Sequence, residues 1–277
     1  MRIYQKLTAA WQQQNSLLCI GLDPDADKLP AYFSKSKQPY LEFCRMIVDA
    51  TAPHACAFKP QAAHFAAKGR EQELQLLISY IRTNYPKHVV ILDAKRGDIG
   101  STAAYYAEEA FERYAADAVT LSPYLGYESV APYLAYGDKG IIVLCRTSNA
   151  DSSWLQNDSR DAEPVFEKVA RRVAQWNTDG QCMLVAGATY PEELARIRSL
   201  VGHMPLLVPG IGAQGGDLAQ VIKHGLDEHK TGLLISSSRG ILYPANDPTE
   251  SCGAFEMASA NAAKSLKSQI NDLINNL

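Results

Sequence analysis

The run VVILDAKRGDIGST, residues 89–102, sets two carboxylates and two cations at the end of an apolar stretch. Val89 to Leu92 have the composition of a buried strand, and Asp93, Lys95, Arg96 and Asp98 follow within six residues. Charge is costly to take out of water, so a core strand that ends in this much of it has a use for it. Side chains alternate along a strand, which puts Asp93 and Lys95 on one face. An ammonium beside a carboxylate can stabilise a developing negative charge or deliver a proton, and such neighbours shift each other's protonation. Lys59 in ACAFKPQ and Asp23 in LLCIGLD end two other apolar runs in the same way. Together these residues form a Lys–Asp–Lys–Asp array that neutralises itself, which lowers the cost of drying it. Each also has a simpler use. Asp23 before Pro24 can shape a turn, Lys59 or Lys95 can snorkel from a strand end, and Asp98 can face the dipole of a following helix. Their joint occurrence favours a site.

A second constellation is VPGIGAQGGD, residues 208–217, with Gly210, Gly212 and Gly215 spaced as G-x-G-x-x-G. A dinucleotide fold uses this spacing in its first strand–helix unit, with an acid closing the next strand. Here it falls late in the chain, and the next apolar run ends in SSSRG without an acid. Glycines that let backbone N–H groups approach an anion, a helix start beyond them and Arg239 in the next unit suit a phosphate better. A pair of ordinary glycine turns is the plain alternative. The histidines at 54, 64, 88, 203, 224 and 229 show no H-x-x-x-H spacing, and no carboxylate cluster suggests a metal cage. His64 reads as structural, and Tyr105, Tyr106 and Trp154 are assigned no role.

These residues need elements to hold them. Eight short apolar runs read as strands: 17–23, 55–61, 89–95, 118–124, 140–148, 182–189, 205–212 and 232–238. Helical patterns lie between and after them at 39–50, 68–84, 101–115, 128–136, 162–177, 191–200, 216–227 and 253–275, and residues 1–15 form an amphipathic helix candidate. Alternating strands and helices predict parallel strands joined by right-handed crossovers. Near-continuous apolar strands predict a sheet buried on both faces. Eight units predict an α/β protein of single-domain (β/α)8 TIM-barrel type over residues 1–277, with a doubly wound open sheet as the competitor. In a barrel the chemistry sits at the carboxyl ends of the strands. Asp23, Lys59, Asp93, Lys95, Ser148 and Arg239 all fall there, and the polar segments 24–38 and 149–161 become loops on that face.

Composition sets the outer limits. The chain has 277 residues, 47% of them apolar and 21% charged, enough for one large core. A net charge of −3 without a long basic run disfavours nucleic acid and anionic membrane as partners. Six cysteines at 19, 44, 56, 145, 182 and 252 include no C-x-x-C, and several lie in apolar runs, where cysteine acts as a small hydrophobe. No signal-peptide pattern and no membrane-length apolar run occur, so a cytoplasmic protein is expected.

The segment LDAKRGDIGST resembles the D-x-K-x-x-D-[IV]-x-x-T signature of the orotidine 5'-phosphate decarboxylase family, matching at Asp93, Lys95, Asp98, Ile99 and Thr102. Similarity to the longer bacterial type runs through GLDPD, FKPQ, RTSN, GATYP, PGIGAQGGD and SSSRGI. The resemblance implies a (β/α)8 homodimer that converts orotidine 5'-phosphate (OMP) to UMP and carbon dioxide in pyrimidine biosynthesis, with no metal or organic cofactor. It implies that Lys95 protonates C6 of the pyrimidine within a network of Lys59, Asp93, Lys95 and Asp98. It places Asp98, Ile99 and Thr102 in the partner's site, Asp23 and Lys59 on the ribose, Ser148 on the pyrimidine, and Gln214 and Arg239 on the phosphate, with Pro209 in the binding site. Gly240 departs from the pattern, which has Ala or another small residue beside the arginine. Two other classes stay open on the residues alone. One is a barrel aldolase or phosphosugar synthase, using Lys59 or Lys95 as a Schiff-base amine or a metal held by Asp23 and Asp93. The other is a phosphate-ligand sensor on a barrel that has lost its activity.

Overall fold

In a computed structural model, described for all residues except 34, 160–162, 212–214 and 245–250, the eight apolar runs are strands β1 (Leu18–Leu22), β2 (Ala57–Pro60), β3 (Val89–Arg96), β4 (Ala118–Leu121), β5 (Gly140–Arg146), β6 (Cys182–Ala186), β7 (Leu206–Val208) and β8 (Leu233–Ser237). Each pairs in parallel with its neighbours in sequence. The pairing of Leu18 with Ile235, Cys19 with Ser236 and Ile20 with Ser237 joins β1 to β8. That last ladder separates the barrel from the open sheet, because it leaves no edge strand. The chain is a single-domain (β/α)8 barrel.

Strands β1, β2, β4 and β6 are buried at every position, as a sheet covered by helices on its outer face requires. The helix Ile3–Gln14 buries Ile3, Leu7, Ala10 and Trp11, one stripe at helical spacing. It packs at the amino-terminal end of the barrel: a Cβ added at Gly140, the first residue of β5, would lie 2.8 Å from Ile3 Cγ1. The long helix Cys252–Asn275 packs on Pro39–Thr51 on the outside of the barrel. Asp217 caps the helix Leu218–Gly225 by accepting from the N–H groups of Ala219 and Gln220. Cys19, Cys44, Cys56, Cys145 and Cys182 are buried free thiols, in keeping with their apolar surroundings, and Cys252 is exposed.

The boundaries differ where apolar runs outlast the hydrogen-bonded ladder. β4 stops at Leu121 rather than 124, β5 at Arg146 rather than 148, β6 at Ala186 rather than 189, and β7 at Val208 rather than 212. Ser148 therefore lies beyond the ladder, in the loop after β5. The pattern over 68–84 begins as a helix only at Glu71, since Gly69 at φ 63° ends a preceding helix, Ala62–Ala66. The pattern 101–115 begins at Gly100 and widens into a π-helix over Glu109–Arg113. The pattern 128–136 shrinks to the turns Tyr127–Ser129 and Ala131–Leu134, the second carrying Pro132.

Candidate active site

The end of β3 is irregular. Its register against β4 shifts between Leu92 and Arg96, and Lys95 has φ 48°, in the left-handed region. A side chain there costs about 1–2 kcal/mol relative to a regular strand, so something must hold it. Thr120 on β4 does: its hydroxyl accepts from the N–H groups of Ala94 and Lys95 at 3.0 and 2.9 Å. The same hydroxyl donates to Asp93 Oδ1 at 2.9 Å. Asp93 and Lys95 do meet, as alternation predicts, but through this bulge rather than along a regular pleat.

Asp93 is the hub. Lys59 Nζ donates to its Oδ2 at 2.7 Å and Lys95 Nζ to its Oδ1 at 2.6 Å. Burial alone would raise the Asp93 pKa, but the two ammonium groups outweigh it and hold the carboxyl well below the usual carboxylate range. Burial would likewise lower the Lys59 pKa, and the carboxylates of Asp93 and Asp23 reverse it, so the amine is held above its ordinary value. The two lysines differ in exposure: the Lys59 side chain is 7% exposed and that of Lys95 47%. Lys59 is an internal strut, whereas Lys95 presents its ammonium to the space above.

That space is a cavity of about 660 Å³ at the carboxyl ends of the strands, lined by Asp23, Lys59, Asp93, Lys95, Ser148, Pro209 and Arg239, among others. Its size and mixed lining suit a ligand with polar and apolar parts. Asp23 Oδ1 is buried there without a hydrogen-bond partner, an acceptor poised for a ligand hydroxyl. The side chain of Arg239, two residues beyond β8, has no hydrogen-bond partner among the described residues. A Cβ at Gly240 would meet open space, so the departure from the family pattern leaves the arginine unhindered. Gln214 lies outside the described residues. His64 Nδ1 sits 2.9 Å from the carbonyl of Pro24, which makes it a brace for the turn after β1. Arg96, the other cation of the run, leaves the site: it pairs with Glu109 at 2.9 Å and lies over the ring of Tyr106.

Sequence reasoning missed Thr120 and Arg146. A lone threonine inside the apolar run AVTLS was the available signal for the first, and an arginine closing GIIVLCR for the second. Arg146 is 1% exposed. Its guanidinium pairs with Glu193, donates to the hydroxyls of Ser152 and Ser153, and stacks 3.7 Å from the ring centroid of Tyr190. Gln156 Oε1 accepts from the Thr147 N–H at 2.8 Å. The turn 147–156, which supplies Ser148 and the exposed Trp154 to the cavity, is thus pinned from beneath. Gly187 completes the fit, since a Cβ there would lie 2.7 Å from the backbone nitrogen of Ser148.

Asp98, Ile99 and Thr102 are not brought into this cavity by their own chain. The Asp98 carboxylate accepts from the N–H of Ile99 at 2.8 Å. Ile99 is 51% exposed, and Tyr105, Tyr124, Leu125 and Tyr127 are also exposed.

With this geometry fixed, the likeness to known proteins is informative. A profile of the family described as orotidine 5'-phosphate decarboxylase / HUMPS matches residues 16–255. The orotidine 5'-phosphate decarboxylase of Ralstonia pickettii (strain 12J) is 54% identical over 276 residues, covering 99% of this chain and 100% of the relative. That of Azoarcus sp. (strain BH72) is 57% identical over 244 residues, covering 88% and 90%. Among solved structures, Leishmania donovani OMP decarboxylase superposes with a TM-score of 0.84 at 37% identity, covering 99% of this chain and 100% of that one.

Proposed function

We propose that this chain, which belongs to the orotidine 5'-phosphate decarboxylase / HUMPS family, acts as a carboxy-lyase that converts OMP to UMP and carbon dioxide with Lys95 as the proton donor. The observation that carries the reading is the chain of contacts Lys59–Asp93–Lys95 at the mouth of the barrel. Breaking the bond between C6 and the carboxylate leaves an electron pair on C6 that the ring cannot spread. The Lys95 ammonium, fixed 2.6 Å from Asp93, supplies a positive charge where that pair develops and then passes its proton to C6. Carbon dioxide departs, and the neutral amine is reprotonated from water. Asp93 orients Lys95, and Lys59 keeps Asp93 ionised. The substrate carboxylate is set close to Asp93, and their repulsion is a secondary contribution.

The same contacts argue against the two competing chemistries. A Schiff-base lysine must lose its proton, whereas Lys59 is held above its ordinary value and the Lys95 ammonium donates to the Asp93 carboxylate. A metal bridging Asp23 and Asp93 would need Asp93 free, and its oxygens already accept from two ammonium groups and a hydroxyl. Binding follows the same map: Asp23 and Lys59 take the ribose hydroxyls, Ser148 the pyrimidine, Gln214 and Arg239 the phosphate, and Pro209 lines the pocket. Phosphate binding far from C6 supplies energy that orients the reacting ring.

A second copy of the chain completes the site. Asp98, Ile99 and Thr102 do not line their own cavity, and Ile99 and Thr102 are exposed, which suits residues that serve a neighbouring site. On this reading residues 1–277 form one catalytic domain of a cytoplasmic homodimer. No helix among the described residues is long and apolar enough to cross a membrane. The deciding experiment follows the ultraviolet absorbance of OMP after addition of purified protein in the presence of EDTA. Turnover that persists in chelator and is lost by at least about a thousandfold in Lys95→Ala is the expected result, since the cation acts mainly in the transition state. UMP binding without turnover would instead identify a sensor.

A further inference from the structure

At the amino-terminal end of the barrel, opposite the cavity, two loops bring together side chains that lie far apart in sequence. His203 precedes β7, and Glu228 and His229 precede β8. His203 Nε2 lies 3.4 Å and His229 Nε2 3.7 Å from the same oxygen, Glu228 Oε1. The two imidazoles are nearly parallel, with centroids 5.1 Å apart and planes 18° from one another. One donor atom from each of the three residues falls within 4.8 Å of the other two. Among the described residues, neither imidazole has another hydrogen-bond partner.

The two His–Glu separations lie near the edges of a coordination polyhedron. Zinc bonds of about 2.0–2.2 Å to imidazole nitrogen and carboxylate oxygen require tetrahedral edges of roughly 3.3–3.6 Å. The His–Glu distances already approach that range, so closing round an ion asks only for small side-chain movements.

The backbone carrying the three residues is held independently of them. Arg198, on the helix Pro191–Val201, donates to the carbonyls of Gly202 and Met204, on either side of His203. It also donates to the carbonyls of Gly225 and Gly232, which bracket Glu228 and His229. One guanidinium therefore fixes both loops relative to each other. Asp227 tightens the second loop by accepting from the N–H groups of His229 and Thr231 at 3.0 and 2.9 Å. Backbone held in this way lowers the ordering cost of binding. His203 and His229 also line a groove of about 510 Å³ against the helix Ile3–Gln14, so the remaining coordination position opens to water or to an outside ligand.

We propose that His203, Glu228 and His229 form a surface site for one divalent transition-metal ion of the zinc class, which ties the loops before β7 and β8 together. Two imidazoles and a carboxylate favour zinc, nickel or copper over magnesium or calcium, which prefer all-oxygen cages. The site is separate from the reaction at the other end of the barrel, so the decarboxylase reading and this one stand or fall independently.

The test is calorimetric titration of tag-free, full-length protein with zinc chloride in a buffer that does not bind metals. The expected result is one zinc per chain at micromolar zinc, with a rise in Tm on saturation. His203→Ala, His229→Ala and Glu228→Gln should each weaken binding at least ~10-fold, since loss even of groups that only support a ligand costs that much. His203→Ala/His229→Ala should abolish it while leaving OMP turnover and the zinc-free Tm within error of the parent. No binding by the parent protein would overturn the proposal and leave the cluster as a surface contact between two imidazoles and a carboxylate. So would zinc binding that survives the double substitution and disappears in Cys252→Ser, which would place the metal on the exposed thiol instead.

Discussion

Asp93 shows how one side chain can be costly to bury and still be secure. Two ammonium groups and the Thr120 hydroxyl satisfy it, so its charge is distributed rather than isolated. The direction of each shift fixes where pH acts. Asp93 has a depressed folded pKa, so its contribution to stability is complete above about pH 3.9, the ordinary aspartate value, and is lost as pH falls through the folded value. Lys59 has a raised one, so its contribution is complete below about pH 10.4 and is lost as pH rises through the folded value. Between roughly pH 5 and 9 neither group should titrate. Asp93→Asn should cost about 3–5 kcal/mol, because it leaves Lys59 buried without its counter-charge. Denaturant unfolding of parent and variant should give a constant difference over the acidic half of this window; toward its alkaline end the difference should shrink as Lys59 of the variant, opposed by Asp23 alone, gives up its proton. A slope on the acidic side would mean the pair is not ionised as described.

The turn after β5 depends on a single buried cation. Arg146 reaches Glu193 and Tyr190 from the next strand–helix unit, and Ser152 and Ser153 from its own turn. This explains physically why the segments RTSN and GATYP occur together: one supplies the arginine and the other leads to its partners. Arg146→Met should lower stability by about 3–5 kcal/mol by stranding Glu193, and it should also release the turn that presents Ser148. We expect KM for OMP to rise at least about tenfold with a smaller fall in kcat, the signature of lost binding rather than lost chemistry. Arg146→Lys should rescue little, since an ammonium cannot serve a carboxylate, two hydroxyls and an aromatic face in one plane. Steady-state kinetics with thermal unfolding separate the two effects, and an unchanged KM would reduce Arg146 to a purely structural role.

At the level of the whole molecule the proposed homodimer makes Asp98 testable. Ile99, Tyr105, Tyr124, Leu125 and Tyr127 are exposed apolar residues that the proposed second copy would cover. If Asp98 acts across the interface, Lys95→Ala and Asp98→Ala proteins, each inactive alone, should regain activity when unfolded together and refolded as a mixture. Half of the dimers would be mixed and each would hold one intact site, so recovery should reach roughly a quarter of the parent level. No recovery from two variants that do form mixed dimers would place Asp98 in its own chain's site.

Much of this was legible in the sequence. Eight apolar runs alternating with helical patterns reflect a local demand, that a parallel strand be buried on both faces, and local demands are written in composition. The charged residues at the strand ends were visible for the same reason, because Asp23, Lys59, Asp93 and Lys95 interrupt runs that are otherwise apolar. Closure of the barrel is predicted by the count of eight units, but the ladder that makes it, Leu18 with Ile235, joins residues more than two hundred positions apart and is written in neither segment. Nor are the left-handed turn at Lys95, the clamp made by Arg146, or the meeting of His203 with Glu228 and His229 across a strand and a helix. Each of these depends on where separate segments arrive after packing, and a linear pattern records what a residue prefers to be near, not which distant residue it will meet.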